Sequence, residues 1–172
     1  MKPIVLFSIQ FTLSLAAYCL AAAWYVIPRL SGKPREAAVQ PLVWVHAFRM
    51  IGGTVLAPGA VAAAVPIVFQ KMVGYGDLAT SALAILALIA LRTRRSWAIP
   101  MVWAVLVVGV GDTVNAIIQS IRYSVFNHAL GVNWVIVTIY VPALLVSSVL
   151  ILWQLLKSPA TAALPATAGS HH

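Results

Sequence analysis

Charge is what this sequence has least of. Of its 172 residues only three are Asp or Glu and eleven are Lys or Arg, so 8% are charged while 62% are hydrophobic. A soluble domain has about a quarter of its residues charged. A chain this short also has too much surface per unit volume to hide so many apolar side chains from water. A water-soluble globular domain is excluded on that ground, and lipid is the solvent that suits the composition. Cysteine is nearly absent as well. Cys19 stands alone, which excludes intrachain disulfides and a Cys-rich metal site. Tyr18 puts a ring where a lipoprotein signal needs a small residue, so Cys19 reads as a small apolar side chain rather than a lipidation site.

Catalytic signatures are missing too. The chain has no Ser-His-Asp ordering, no phosphate loop and no Cys-x-x-Cys-His haem attachment motif. His46 and His128 fall near opposite faces of the expected bundle, so one haem cannot take both as ligands. The few metal-ligating side chains lack zinc spacing. No cofactor and no metal are expected, no catalytic residue is assigned, and the reading leans away from an enzyme. The net charge of +8 is a weak case for nucleic acid, because the basic residues sit in short gaps between apolar runs and not on one basic face. No nucleic-acid partner is expected.

What the sequence does have is long apolar runs. They predict an all-α integral membrane bundle with five transmembrane segments, at about 4–27, 42–68, 76–91, 97–118 and 134–156, forming one domain over 1–157. Each except the third is long enough to cross about 30 Å of hydrocarbon at 1.5 Å per residue. The first is expected to break at Pro28. The second, WVHAFRMIGGTVLAPGAVAAAVPIVF, contains Gly52-Gly53, Pro58-Gly59 and Pro66, so it is expected to be kinked or broken. Such backbone survives in a bilayer only where protein or a wet cavity surrounds it. Asp77 reads as the N-cap of the third segment after the turn-like Gly74-Tyr75-Gly76. Residues 158–172, rich in Ala, Thr and Pro, read as a disordered tail ending in a tag remnant.

The basic residues orient this plan. Arg29, Lys33, Arg35, Arg92, Arg94, Arg95 and Lys157 fall on one side of five spans, and Lys2, Lys71 and Arg122 on the other. The excess predicts a bacterial inner-membrane protein with its N-terminus outside and its C-terminus cytoplasmic. Trp24, Trp44, Trp97, Trp134 and Trp153 cluster near span ends, as an aromatic belt does.

Polar side chains inside apolar runs are the candidate site. A charge at a helix centre costs about 2.5–3.5 kcal/mol on insertion scales, so each one asks for a partner. His46 and Arg49 share a face of segment two with Gly53. Asp112, Asn115 and Gln119 form a stripe on segment four at spacings of three and four. With Asp77 these make six candidate ligand-binding residues, and packing glue is the alternative for each. Counted from the expected cytoplasmic ends, Arg49 lies about 11 Å deep and Asp112 about 22 Å. That count leaves open whether the two meet, and whether Asp77 meets Asp112 instead.

Four stretches carry a resemblance: Phe48-Arg49 through Gly52, Leu56-Ala57-Pro58-Gly59, Tyr75-Gly76-Asp77-Leu78, and Gly109-Val110-Gly111-Asp112-Thr113-Val114-Asn115-Ala116. Together they resemble small uncharacterised multi-pass bacterial membrane proteins, with a fainter likeness to DoxX-type proteins in the Arg-x-x-Gly and Gly-Tyr-Gly-Asp-Leu regions. The resemblance implies no activity. The residues themselves point to a bundle that binds or conducts a small molecule or lipid in a cavity beside segment two. Membrane lipid, a small apolar or anionic ligand and a homo-oligomer are the expected partners. A membrane-embedded enzyme acting on a lipid-soluble substrate and a structural or accessory subunit are the alternatives.

Overall fold

The computed structural model describes residues 2–157, and all the regular structure among them is helical. The tail expected to be disordered lies outside the described residues. Five helical elements follow one another: α1 (Pro3–Leu30), α2 (Arg35–Ala47) continuing as a 3₁₀ segment (Phe48–Leu56), α3 (Ile67–Arg92), α4 (Ala98–Arg122) and α5 (Val132–Leu156). Four of them, α1, α3, α4 and α5, are long and apolar enough to cross a membrane, at 28, 26, 25 and 25 residues.

Several boundaries differ from those expected. Pro28 does not break α1. The helix widens to a π turn over Ala22–Val26 and runs on to Leu30. A proline ring collides with the carbonyl four residues back, here Trp24, and the wider turn swings that carbonyl aside. α5 repeats the device, with a π turn over Ile136–Tyr140 ahead of Pro142. The second element starts at Arg35 rather than near Leu42 and ends at Leu56, because the polar first turn around Glu36 is helical although it is not hydrophobic. Residues 57–66 are irregular, and Pro66 caps α3. α3 therefore begins nine residues before the expected 76, so Gly74-Tyr75-Gly76 is helix, and Asp77 is a buried mid-helix residue and not a cap.

α2 cannot keep its α-geometry past Ala47, because Gly52-Gly53 hold a helix poorly and 3₁₀ winding takes over. Neighbouring helices tie the chain at the change of winding. The Ser81 hydroxyl of α3 donates to the Ala47 carbonyl at 2.5 Å, and the Tyr140 hydroxyl of α5 donates to the Val45 carbonyl. At about 1.5 and 2.0 Å per residue, α2 and its 3₁₀ extension together span about 37 Å. They run the length of the bundle: Arg35 bonds the Lys157 carbonyl at one end, and Thr54 bonds Asn133 at the other.

Packing divides the molecule into two halves. At the end holding Arg35, Arg92 and Lys157, nineteen buried apolar residues from all five helices form one core, including Val39, Val43, Ala84, Ala87, Val102, Val105 and Ile151. At the other end the buried apolar cluster is only Val65, Phe69, Val125 and Leu130. The 57–66 segment lies across that end, tied by the Ala62 amide to the Ala129 carbonyl (2.8 Å) and by Asn133 to the Ala60 carbonyl (3.2 Å). α1 is peripheral: none of Pro3–Ala21 is buried. Gln10 is its polar tie, accepting the Trp134 indole N–H at 2.7 Å.

Candidate functional site

Three charged residues from three elements meet where the packed half gives way to the other. Arg49 Nε donates to Asp77 Oδ1 at 2.5 Å, Nη2 donates to Asp112 Oδ2 at 2.6 Å, and Nη1 donates to the Gly109 carbonyl at 3.0 Å. The guanidinium is buried and each carboxylate side chain is 12% exposed. Depth explains the meeting. Arg49 is fourteen residues from the start of α2, Asp112 is fourteen from the start of α4 and Asp77 is fifteen from the end of α3. At helical rise all three lie roughly 21 Å from the same end of the bundle. The shallower depth expected for Arg49 came from starting its helix at Leu42.

Glycines make the approach possible, and they form a cycle. A Cβ on Gly52 would fall on the Asp77 carboxylate, and a Cβ on Gly76 would fall on that of Asp112. The segment after α2 thus supplies Arg49 and the notch for Asp77. α3 supplies Asp77 and the notch for Asp112, and α4 supplies Asp112 and the Gly109 carbonyl for Arg49. In 3₁₀ winding, side chains three apart eclipse, so Gly52, not the expected Gly53, lies in line with Arg49. Gly53 packs on Leu78 instead. Arg49-x-x-Gly52, Gly76-Asp77 and Gly109-x-x-Asp112 are the sequence traces of this cycle.

His46 adjoins the cluster on its packed side. Its ring is fully buried, with Nε2 3.1 Å from Ser147 Oγ. Ser147 Oγ also lies 3.0 Å from the Leu144 carbonyl. Nδ1 is the other ring nitrogen. It has no partner among the described residues and lies 3.6 Å from the Cβ position of Gly109, where Arg49 Nη1 also comes within 3.5 Å. The other two sequence candidates are not drawn in. Asn115 donates to the Met72 sulfur of α3 at 3.1 Å, and the carbonyl oxygen of Gln119 is buried without a partner among the described residues.

A cavity of about 570 Å³ opens above the cluster in the less packed half. Among the described residues Arg49, Asp77 and Asp112 are its only charged lining groups, and most of the rest is apolar, including Phe7, Phe11, Phe69 and Phe126. Thr113 and Ser120 line the wall from α4, whereas Asn115 and Gln119 do not. Sequence reasoning missed Tyr140 and Gln10: the first looks like an ordinary aromatic in an apolar run, and the second is a lone amide whose partner lies 124 residues away. No three His, Cys, Asp or Glu side chains among the described residues are grouped to hold a metal ion.

Comparison with curated proteins and with solved structures found no match to either. A family model described as Domain of unknown function (DUF8737) matches residues 6–156, a stretch that contains every residue of the cluster and of the helices that carry it. The chain belongs to that family.

Proposed function

We propose that the chain is a five-span protein of the bacterial inner membrane that holds a small lipid-soluble molecule in the cavity between α1, α4 and α5, with the Arg49–Asp77–Asp112 cluster as its floor. One observation carries the reading: an apolar space of about 570 Å³ ends on the only charged groups that line it among the described residues. Ligand pockets combine mainly apolar walls with a few placed polar groups in this way and at this size. The four long apolar helices and the α2–3₁₀ segment supply the five crossings, with Lys2 outside and the basic end in the cytoplasm. α1 is the wall between cavity and lipid, and its exposed apolar surface suits acyl chains.

Binding tests the site. Equilibrium dialysis of labelled 1-undecanol against the protein in lipid nanodiscs, with empty nanodiscs as the blank, should show one saturable site per chain. Val73→Trp, placed in the cavity wall, should remove it. Absence of a saturable site in the wild type would sink the reading. Single-cysteine reporters on a Cys19→Ser background test the topology: Lys2→Cys should be labelled from outside, and Arg94→Cys only after permeabilisation.

A further inference from the structure

The cluster does not balance. Arg49 brings one positive charge and Asp77 and Asp112 bring two negative ones, and among the described residues no other Lys or Arg lines the cavity. Each of the three guanidinium nitrogens is already engaged by the chain itself, so an anionic ligand would have to displace an aspartate. The carboxylates are differently placed. Each spends one oxygen on Arg49 and keeps a second that makes no side-chain hydrogen bond among the described residues. Nδ1 of the fully buried His46 has no partner among the described residues and lies 3.6 Å from the Cβ position of Gly109, where Arg49 Nη1 comes within 3.5 Å. A proton or a cationic guest corrects the surplus of negative charge, and in apolar surroundings the correction is worth far more than in water.

The walls agree with the floor. Phe7, Phe11, Phe69, Phe126 and Tyr140 line the space above the carboxylates, with Phe7 and Phe126 rings 4.1 Å apart between centroids. Aromatic faces attract a poorly hydrated cation such as a quaternary ammonium. They do nothing comparable for a carboxylate. The space also extends past the charged floor among apolar side chains, which leaves room for an apolar tail.

Resting on the cavity reading above, we infer that the ligand of this site is an amphiphilic organic monocation, an amine or quaternary ammonium head on an apolar tail, with its head between Asp77 and Asp112 and its tail among the aromatic rings. Asp77 and Asp112 set the specificity, and Arg49 holds them apart in place. Apolar affinity belongs to the walls, and preference for charge belongs to the floor.

Three probes of similar length separate the two contributions: decyltrimethylammonium, 1-undecanol and decanoate, each labelled and dialysed against the protein in nanodiscs. The wild type should bind the ammonium at one site per chain at least tenfold more tightly than undecanol, and decanoate least. Asp77→Asn and Asp112→Asn each leave Arg49 with one carboxylate, a matched pair that keeps the fold, which is checked by thermal unfolding. Both variants should lose the ammonium preference while undecanol binding stays within about twofold. Equal binding of ammonium and undecanol to the wild type would mean that a proton carries the odd charge, and would overturn the inference while sparing the cavity. A preference that survives in both Asn variants, or tighter decanoate binding, overturns it too. Failure of all three probes to saturate removes the cavity reading itself.

Discussion

The two halves of this bundle solve opposite problems with the same helices. At the basic end, small and branched apolar side chains interlock, with few polar ones such as Gln154 among them: Ala38, Val39, Val43, Ala84, Ala87, Val102, Val105 and Ile151 are all essentially unexposed. Beyond Arg49 the same four inner elements line open space, and the 57–66 segment lies across that end. The change falls where α2 turns from α to 3₁₀ winding. A wider helix packs knob against groove, whereas the slimmer 3₁₀ segment lets Gly52 and Gly53 press against α3 and leaves the α4–α5 side unfilled. Close packing on one flank and a cavity on the other follow from the same two glycines.

The largest effect should come at the border between the halves. Arg49→Met would leave two buried carboxylates facing each other without a cation, and breaking a buried ion pair in this way costs about 3–5 kcal/mol. Loss of a monodisperse folded species by size-exclusion chromatography is the expected result. The triple change Arg49→Met, Asp77→Asn, Asp112→Asn should recover much of it. Full stability of Arg49→Met alone would mean that the cluster holds nothing together.

Next in size is a paired truncation. Ile151→Ala opens a void in the packed half, for which losses of about 2–5 kcal/mol are usual. Val137→Ala enlarges a cavity that already exists, and should cost about 1 kcal/mol or less for the partly buried methyl groups removed. Equal shifts in unfolding temperature would show that the second half is filled as tightly as the first.

Additions should reverse the pattern. Ala87→Leu forces a larger side chain into a site with no exposure, at a cost of about 1–3 kcal/mol. Ala116→Leu points into the cavity; it should leave the unfolding temperature unchanged or raise it, and weaken 1-undecanol binding at least threefold. The smallest effect is expected at Gly111, where a Cβ meets nothing within 4 Å. Gly111→Ala should stabilise α4 by up to about 1 kcal/mol, a rise in melting temperature without any change in binding.

Much of this was legible in the residues before any tertiary contact was known. All-α architecture and the approximate places of four long helices follow from run length and composition, because a helix satisfies its own backbone without help from a neighbour. That Arg49 and Asp112 need partners was equally legible, since ionisable groups in apolar runs are costly wherever they end up, whereas Asp77 read as a helix cap. Asn115 and Gln119 show the limit of the same logic: they are on Asp112's stripe by spacing, yet one meets a Met72 sulfur and neither reaches the cavity. A stripe spans more arc of helix than one neighbour covers.

Helical segments, their apolar character and a short set of residues needing partners were thus determined by the sequence alone, through local geometry and the cost of lone charges. Which partner each residue found was decided only by the tertiary structure. The start of α2 at Arg35 set the depth of Arg49, and 3₁₀ winding brought Gly52 beneath Asp77. The packing of α3 on α4 put Gly76 beneath Asp112. Each is a relation between elements far apart in the chain, set by how deeply and at what rotation they pack, and neither quantity is written in the period of any one helix.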